Sequence, residues 1–283
     1  MQYLKKYLKF HFRIIFELYT RIMLLADKKT FAYLFNLKSV VLKSPSRLSW
    51  NKDHFVVKDK NIAGFKYIIR HQKQCNMAYC KGVVKRAQAL ADCYFLEQID
   101  FLDGDVFLDC GANVGDLKIW FELKKIKVTY VAFEPSPTEF KCLKKNVAPS
   151  CVYNIGLWNT AGDLKFFLSS QGADSSLIQP KSYDEIINVK VDRLEDYVDS
   201  NIKLLKLEAE GAEPEILQGL GDKIQLVEYI SADLGYERGV GCESTLVPVT
   251  NYLLKKGFDL VDVSHNRICA LYKNNNFRTL KTQ

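Results

Sequence analysis

The segment Asp109–Gly115 reads DCGANVG and lies between the apolar residues 106–108 and a stretch with helical spacing. Small residues at such a junction let the backbone approach a ligand at a helix amino terminus. When the dinucleotide fingerprint G-x-G-x-x-G is aligned at Gly111, Asn113 stands at the second glycine and Asp116 at the third. An acid at the start of that helix would repel a pyrophosphate, and the chain contains no G-x-x-x-x-G-K-[ST]. The segment therefore favours a cationic ligand without phosphates, and S-adenosylmethionine is such a ligand.

Two further apolar runs end in residues suited to a nucleoside. Ala132–Pro135 (AFEP) places Glu134 25 residues after Asp109, where an acid can accept hydrogen bonds from both ribose hydroxyls. This acid does not separate the methyl donor from NAD, because both carry a free ribose. The next run ends at Asn154–Leu157 (NIGL), and we expect Asn154 and Leu157 to border the adenine.

Short β-rich runs alternate with helical runs from Val106 onward. Such alternation predicts an α/β fold with a mostly parallel sheet that is covered on both faces. In these sheets ligands bind outside the carboxyl ends of the strands. Leu164–Leu168 is expected to pair locally around a turn at 159–162, and the last two strands, near 259–263 and 268–272, to pair antiparallel.

The run Leu204–Gly211 reads LLKLEAEG, an apolar strand followed by two acids. Period-two alternation would put Glu208 and Glu210 on the same side if the strand continues that far. Neighbouring carboxylates raise the pKa of one of them, which suits a base that takes a proton from a hydroxyl. The same pair could instead hold a divalent metal ion, or only orient the following helix. The sequence leaves these roles open.

Two residues after the next strand are candidates for contact with the acceptor substrate. Asp233 stands just past that strand and could join the acids of the preceding one. Arg238 lies in a glycine-containing loop, residues 233–245, whose position after a strand end suits substrate binding.

Four of these motifs resemble those of the FkbM-type class I methyltransferases: DCGANVG, AFEP, NIGL and, at Lys206–Glu213, KLEAEGAE. Their order and spacing match over about residues 105–262. The resemblance implies a Rossmann-like seven-stranded sheet and methyl transfer from S-adenosylmethionine, usually to an oxygen of a sugar or natural product. Glu208 departs from the family, since many members have Asp there. The donor-binding roles that the resemblance implies belong to Asp109, Gly111, Asn113, Gly115 and Glu134.

Residues 1–45 are predicted to form a basic amphipathic helical region. Apolar residues from Leu4 to Leu25 recur at helical spacing, and residues 1–50 contain ten Lys and Arg against two Asp and Glu. Charges interrupt every apolar run before it reaches the length of a spanning helix. The region could pack on the rest of the protein or a second subunit, or lie on an anionic membrane surface. The oligomeric state is not determined by the sequence.

Composition limits the remaining alternatives. The 283 residues are 48% hydrophobic and 26% charged, which is typical of a soluble globular protein and excludes a disordered or collagen-like chain. The net charge of +7 is concentrated in one segment, so a nucleic-acid substrate is not favoured. Eight cysteines without a CxxC pair favour a reducing cytoplasm, with residues 1–45 allowing contact with the inner face of a membrane.

The sequence thus predicts an N-terminal extension (1–45), a cap of short strands and a helix (46–104), a methyltransferase domain (105–273) and a polar tail (274–283). We expect a methyltransferase that acts on a hydroxyl of a glycan or small molecule. One alternative is a nucleotide-dependent oxidoreductase, which Asn113 and Asp116 disfavour. The other is a non-catalytic scaffold recruited to membranes by its N-terminus.

Overall fold

A computed structural model describes residues 2–170, 172, 174–264 and 267–277, with side chains in the first helix described at 11 and from 14 onward. The chain divides into two compact units, Met1–Val83 and Val84–Gln283, which are considered separately. The domain limits expected from the sequence, at 45/46 and 104/105, stay a prediction.

The first unit combines helices with a small antiparallel sheet. Its elements are α1 (Gln2–Leu25), α2 (Lys28–Val41), β1 (Ser46–Asn51), β2 (His54–Asp59), β3 (Tyr67–Ile69) and α3 (Gln72–Tyr79). The strands pair in the order β1-β2-β3. Asp27 starts α2 because its side chain accepts hydrogen bonds from the backbone nitrogens of Lys29 and Thr30. A search of the described residues finds no helix with the length and hydropathy needed to cross a membrane.

The second unit contains the elements that build the large sheet. They are α4 (Val83–Cys93), β4 (Val106–Cys110), α5 (Lys118–Lys124), β5 (Thr129–Phe133), α6 (Pro137–Asn146), β6 (Cys151–Tyr153), β7 (Gly156–Trp158), β8 (Gly162–Leu168), β9 (Glu185–Arg193), β10 (Ile202–Leu207), α7 (Glu213–Leu220), β11 (Val227–Asp233), α8 (Leu246–Lys255), β12 (Phe258–Val263) and β13 (Cys269–Asn274).

Seven strands form one sheet in the order β12-β13-β11-β10-β4-β5-β6. The five strands from β11 to β6 in this order are parallel, whereas β13 runs antiparallel to both β11 and β12. This confirms the Rossmann-like, mostly parallel seven-stranded sheet and the antiparallel final pair. The strands β4 and β10 are apolar and buried along most of their length, as strands covered on both faces are.

A second sheet in this unit has the order β7-β9-β8. The expected local pairing of residues 164–168 around the turn at 159–162 is therefore wrong. The strand β8 instead pairs antiparallel with β9 over seven residues, and β7 pairs parallel with β9. The longer pairing of β8 with β9 is favoured because it buries Phe166 against Val189 and Val191. A short hairpin between β7 and β8 would not provide this contact.

Candidate functional site

The turn after β4 brings the backbones of two strands together. At Gly111 φ is +75°, and a Cβ there would lie 1.7 Å from the backbone oxygen of Glu208, so a side chain has no room. The backbone nitrogens of Gly111 and Ala112 both donate to the oxygen of Phe133 at 3.0 Å, and Gly115 donates to Ala112 at 2.8 Å. The close approach of the two strands and these hydrogen bonds fix the course of the turn at the carboxyl ends of the strands.

Glu134 follows β5 and is held from two sides. Its Oε2 accepts from the backbone nitrogen of Asn113 at 2.8 Å, and its Oε1 from that of Ser136 at 2.9 Å. Burial raises the pKa of this carboxyl to about 8, and the nearby Glu139 adds to the increase. Each oxygen retains a further lone pair, so Glu134 can also accept hydrogen bonds from the hydroxyls of a ligand.

A small apolar cleft includes Gly111, Pro135 and Leu157 in its walls. Asn154 has a different place: its Nδ2 donates to the backbone oxygens of Glu134 and Pro135 at 2.9 and 3.0 Å. Leu157 thus contributes to the cleft surface, while Asn154 holds the loop that carries Glu134. The cleft thus places apolar surface beside the loop that carries Glu134, and such surface suits the flat face of a base.

A buried lysine ties β4 to the end of β10. Lys206 Nζ lies 2.9 Å from Asp109 Oδ1 and 3.2 Å from Glu208 Oε2, and it donates to the backbone oxygen of Gly111 at 2.8 Å. Burial by itself would lower the pKa of Lys206, but the two carboxylates reverse the effect and raise it. Tyr130 donates to the other oxygen of Asp109 at 2.5 Å. Asp109 is therefore an internal partner in an ion-pair network.

Arg267 brings three acids together beyond the strand ends. Its Nη2 lies 2.7 Å from Glu208 Oε1 and 3.7 Å from Glu237 Oε1, and its Nε contacts Asp233. Burial would raise the pKa of Glu208, but Lys206 and Arg267 outweigh it and hold that pKa at about 2. Asp233 does join the acids that follow β10, as its position in the sequence suggested.

Glu210 has a geometry that strand alternation did not predict. The strand β10 ends at Leu207, and Glu210 lies in a turn with φ at +50°. The condition for Glu208 and Glu210 to share one side of the strand, namely that the strand continues that far, is therefore not met. Burial raises the pKa of Glu210 to about 10, with further contributions from Glu237 and Glu208. At neutral pH the carboxyl group of Glu208 is thus ionised, whereas that of Glu210 is neutral.

Arg238 is engaged within the protein. It forms a two-pronged ion pair with Glu215, at 2.9 and 2.7 Å, and also donates to the backbone oxygen of Gly211. Gly211 has φ at +98°, and a Cβ there would lie 2.6 Å from the Cα of Arg238. These contacts connect the loop after β11 to α7, and they favour a structural role for Arg238.

Replacing Arg238 with Leu is expected to lower the free energy of unfolding by about 1–2 kcal/mol, because Glu215 loses a charge-assisted partner. Urea denaturation measures this, with Lys256→Leu in the exposed pair with Asp222 as a control that changes little. If Arg238→Leu is as stable as the parent and has a raised KM for the acceptor, Arg238 binds the substrate instead.

Lys206 and Arg267 were not identified from the sequence. For Lys206 the sequence does offer a signal, since it is a lysine between apolar residues of a buried strand, and lysine is rarely buried without a partner. Arg267 lies 59 residues after Glu208, and no local pattern connects the two. Within the described parts of the chain, no group of three or more His, Cys, Asp or Glu side chains is arranged to hold a metal ion.

Comparison with known proteins places this site within a matched region. The profile of the Methyltransferase FkbM domain matches residues 109–278. The chain is 26% identical over 171 residues to Methyltransferase 1 of Beauveria bassiana, covering 49% of this chain and 68% of that protein. It is 27% identical over 168 residues to the 31-O-demethyl-FK506 methyltransferase FkbM of Streptomyces tacrolimicus, covering 46% of this chain and 65% of that protein.

A third relative is the hexuronic acid methyltransferase AglP of Haloferax volcanii. It is 27% identical over 140 residues, which cover 47% of this chain and 56% of that protein. The matches therefore span between about half and two thirds of the relatives' own lengths.

Proposed function

Because the chain belongs to the Methyltransferase FkbM domain family, we propose that it methylates a hydroxyl of a saccharide or a related small molecule. The protein is a methyltransferase, and S-adenosylmethionine is its cofactor. The family assignment excludes the alternative of an oxidoreductase. Support for the acceptor class comes from the similarity to a hexuronic acid methyltransferase.

The observation that carries the donor site is the position of Glu134. Its buried carboxyl is already oriented by two backbone nitrogens. The loop that carries it, which Asn154 holds, lies beside the apolar cleft. We assign the ribose hydroxyls to Glu134, the adenine to the cleft that Leu157 lines, and the methionyl end to the turn at Gly111. The methionyl end is assigned to this turn because the turn lies at the carboxyl ends of the parallel strands, where ligands of such sheets bind.

When bound, the cofactor would supply an electrophilic methyl group, and its sulfur would keep the electron pair of the carbon–sulfur bond that breaks. The protein's own part is to orient the acceptor hydroxyl and receive its proton. Glu208 is ionised at neutral pH and can accept a hydrogen bond from the hydroxyl, and a carboxylate oxygen then takes the proton as the new oxygen–carbon bond forms. Lys206 and Arg267 position this carboxylate and reduce its basicity. Glu210 is neutral, and we propose that it can donate a hydrogen bond to the acceptor.

Binding of S-adenosylhomocysteine at pH 7 is expected to release most of one proton. Glu134 has a raised pKa of about 8 in the free protein, whereas ribose hydroxyls that donate to it favour the ionised form. The affinity should therefore rise from about pH 6 to pH 8 and level off above that. Calorimetry in buffers of different ionisation enthalpy measures the proton.

Glu134→Gln should abolish this release and weaken binding about tenfold to a hundredfold, for a loss of about 1.5–3 kcal/mol. Glu122→Gln, at a half-exposed position on α5, is the control that should bind as the parent does. If Glu134→Gln and the parent bind S-adenosylhomocysteine with equal affinity, Glu134 does not bind the ribose.

The acceptor class is tested with methyl-labelled S-adenosylmethionine. Extracts of cells that lack the gene are separated into saccharide, protein and lipid fractions and incubated with the purified protein. We expect the label in the saccharide or small-molecule fraction, with mass spectrometry locating the methyl on oxygen. Label only in protein or only on nitrogen would contradict the proposed acceptor.

We propose the cytoplasm as the compartment. The eight cysteines are free thiols, and a reducing compartment favours that state.

A further inference from the structure

The helix α1 has two apolar faces with different environments. One face packs against α2: Met23 is fully buried, Tyr19 donates to the backbone oxygen of Leu34 at 2.7 Å, and Lys38 donates to Thr20 at 3.0 Å. The opposite face is also aliphatic, yet it is exposed, with Leu25 88% exposed. Its members recur at helical spacing and form one stripe. They are Ile14, Ile15, Leu18, Ile22 and Leu25.

The helix α2 repeats this arrangement. Phe31 and Phe35 are fully buried, and Phe31 packs on Phe55 of β2 with ring centroids 5.1 Å apart. The side facing away from these rings carries a second exposed apolar stripe, whose members are Tyr33, Leu37, Val40 and Val41. An outer helix face normally carries polar residues, so two neighbouring helices with exposed apolar stripes indicate a surface that another apolar phase covers.

The net charge of the first unit indicates which kind of surface covers the exposed stripes. Met1–Val83 contains seventeen Lys and Arg against four Asp and Glu, a net charge of +13, so the second unit carries −6. Exposed cations border the stripes: Arg21 lies one turn from Leu18 and Leu25, and Lys29 one turn from Tyr33. Arg21 pairs with the exposed Glu17, and an anionic surface can outcompete such a pair.

We propose that the exposed stripes of α1 and α2 dock on an anionic lipid surface, with the aliphatic side chains inserted and the Lys and Arg side chains at the headgroups. Two copies of the first unit would each carry a net charge of +13, and the repulsion between them disfavours self-association. A nucleic acid would use the charge but not the aliphatic stripes, because its sites combine cations with aromatic stacking. This docking is independent of the methyl-transfer chemistry.

The test is flotation of the full chain with vesicles of phosphatidylcholine, with and without phosphatidylglycerol. We expect binding to the anionic vesicles, weaker binding to the neutral ones, and partial loss in high salt. The triple variant Leu18→Ser, Ile22→Ser and Leu25→Ser should bind the anionic vesicles at least about tenfold more weakly, because three of the five apolar side chains of the α1 stripe become polar while every charge remains.

A matched control keeps this interpretation specific. Leu102→Ser, Leu254→Ser and Val261→Ser remove three exposed apolar side chains from the second unit, and this variant should bind vesicles as the parent does. Thermal unfolding of both variants near the parent's midpoint confirms that they fold. Parent-like binding by the stripe variant would overturn the proposal. So would absence of vesicle binding, whether the parent then binds RNA or forms a dimer that the stripe variant breaks.

Discussion

Lys206→Met is expected to lower the free energy of unfolding by about 3–5 kcal/mol at neutral pH. The substitution leaves the buried Asp109 carboxylate without its ammonium partner, and Glu208 loses one of its two cations but keeps Arg267. Methionine has nearly the shape of lysine, so the loss reflects charge more than packing. Urea denaturation at neutral pH measures the loss.

Two further variants separate this effect from general damage. Lys203→Met, on the same strand in a partly buried pair with Glu228, should cost clearly less. The double variant Lys206→Met with Asp109→Asn should regain part of the lost stability, since removing both charges is less harmful than removing one. A double variant that is less stable than Lys206→Met would show that the lysine acts through packing. If Lys206→Met does not fold, recovery of folding by the double variant answers the same question.

Glu208→Gln is expected to reduce turnover about 100-fold or more while S-adenosylhomocysteine still binds. The carboxylate is ionised, at a pKa of about 2, and glutamine cannot take a proton from the acceptor hydroxyl. Transfer of labelled methyl to the saccharide fraction and calorimetry with S-adenosylhomocysteine give the two readouts. Turnover close to that of the parent would make Glu208 structural.

Glu210→Gln is the matched comparison and should change turnover by less than about fivefold at pH 7. The raised pKa of Glu210, about 10, keeps its carboxyl neutral, and glutamine resembles a neutral carboxyl in shape and in its ability to donate a hydrogen bond. A large loss in Glu210→Gln with a small loss in Glu208→Gln would exchange the roles of the two acids.

Much of the fold was predictable because it depends on local patterns. The alternation of apolar strands and helical runs predicted the mostly parallel sheet, and the ends of β4 and β5 directed attention to Asp109–Gly115 and Glu134. The pairing of β8 was not predictable from its neighbours, because β9 lies 17 residues beyond the end of β8 and offers the longer ladder.

The sequence by itself determined which acids stand at strand ends and which glycine permits the turn, because these depend on residue type and spacing along the chain. Only the tertiary structure decided the state of those acids. Lys206 and Arg267 come to Glu208 from a buried strand and from a distant turn and keep it ionised, whereas burial, together with the carboxylates of Glu237 and Glu208, keeps Glu210 neutral. The strength of an electrostatic interaction depends on distance and burial in three dimensions, and neither can be read from the order of residues.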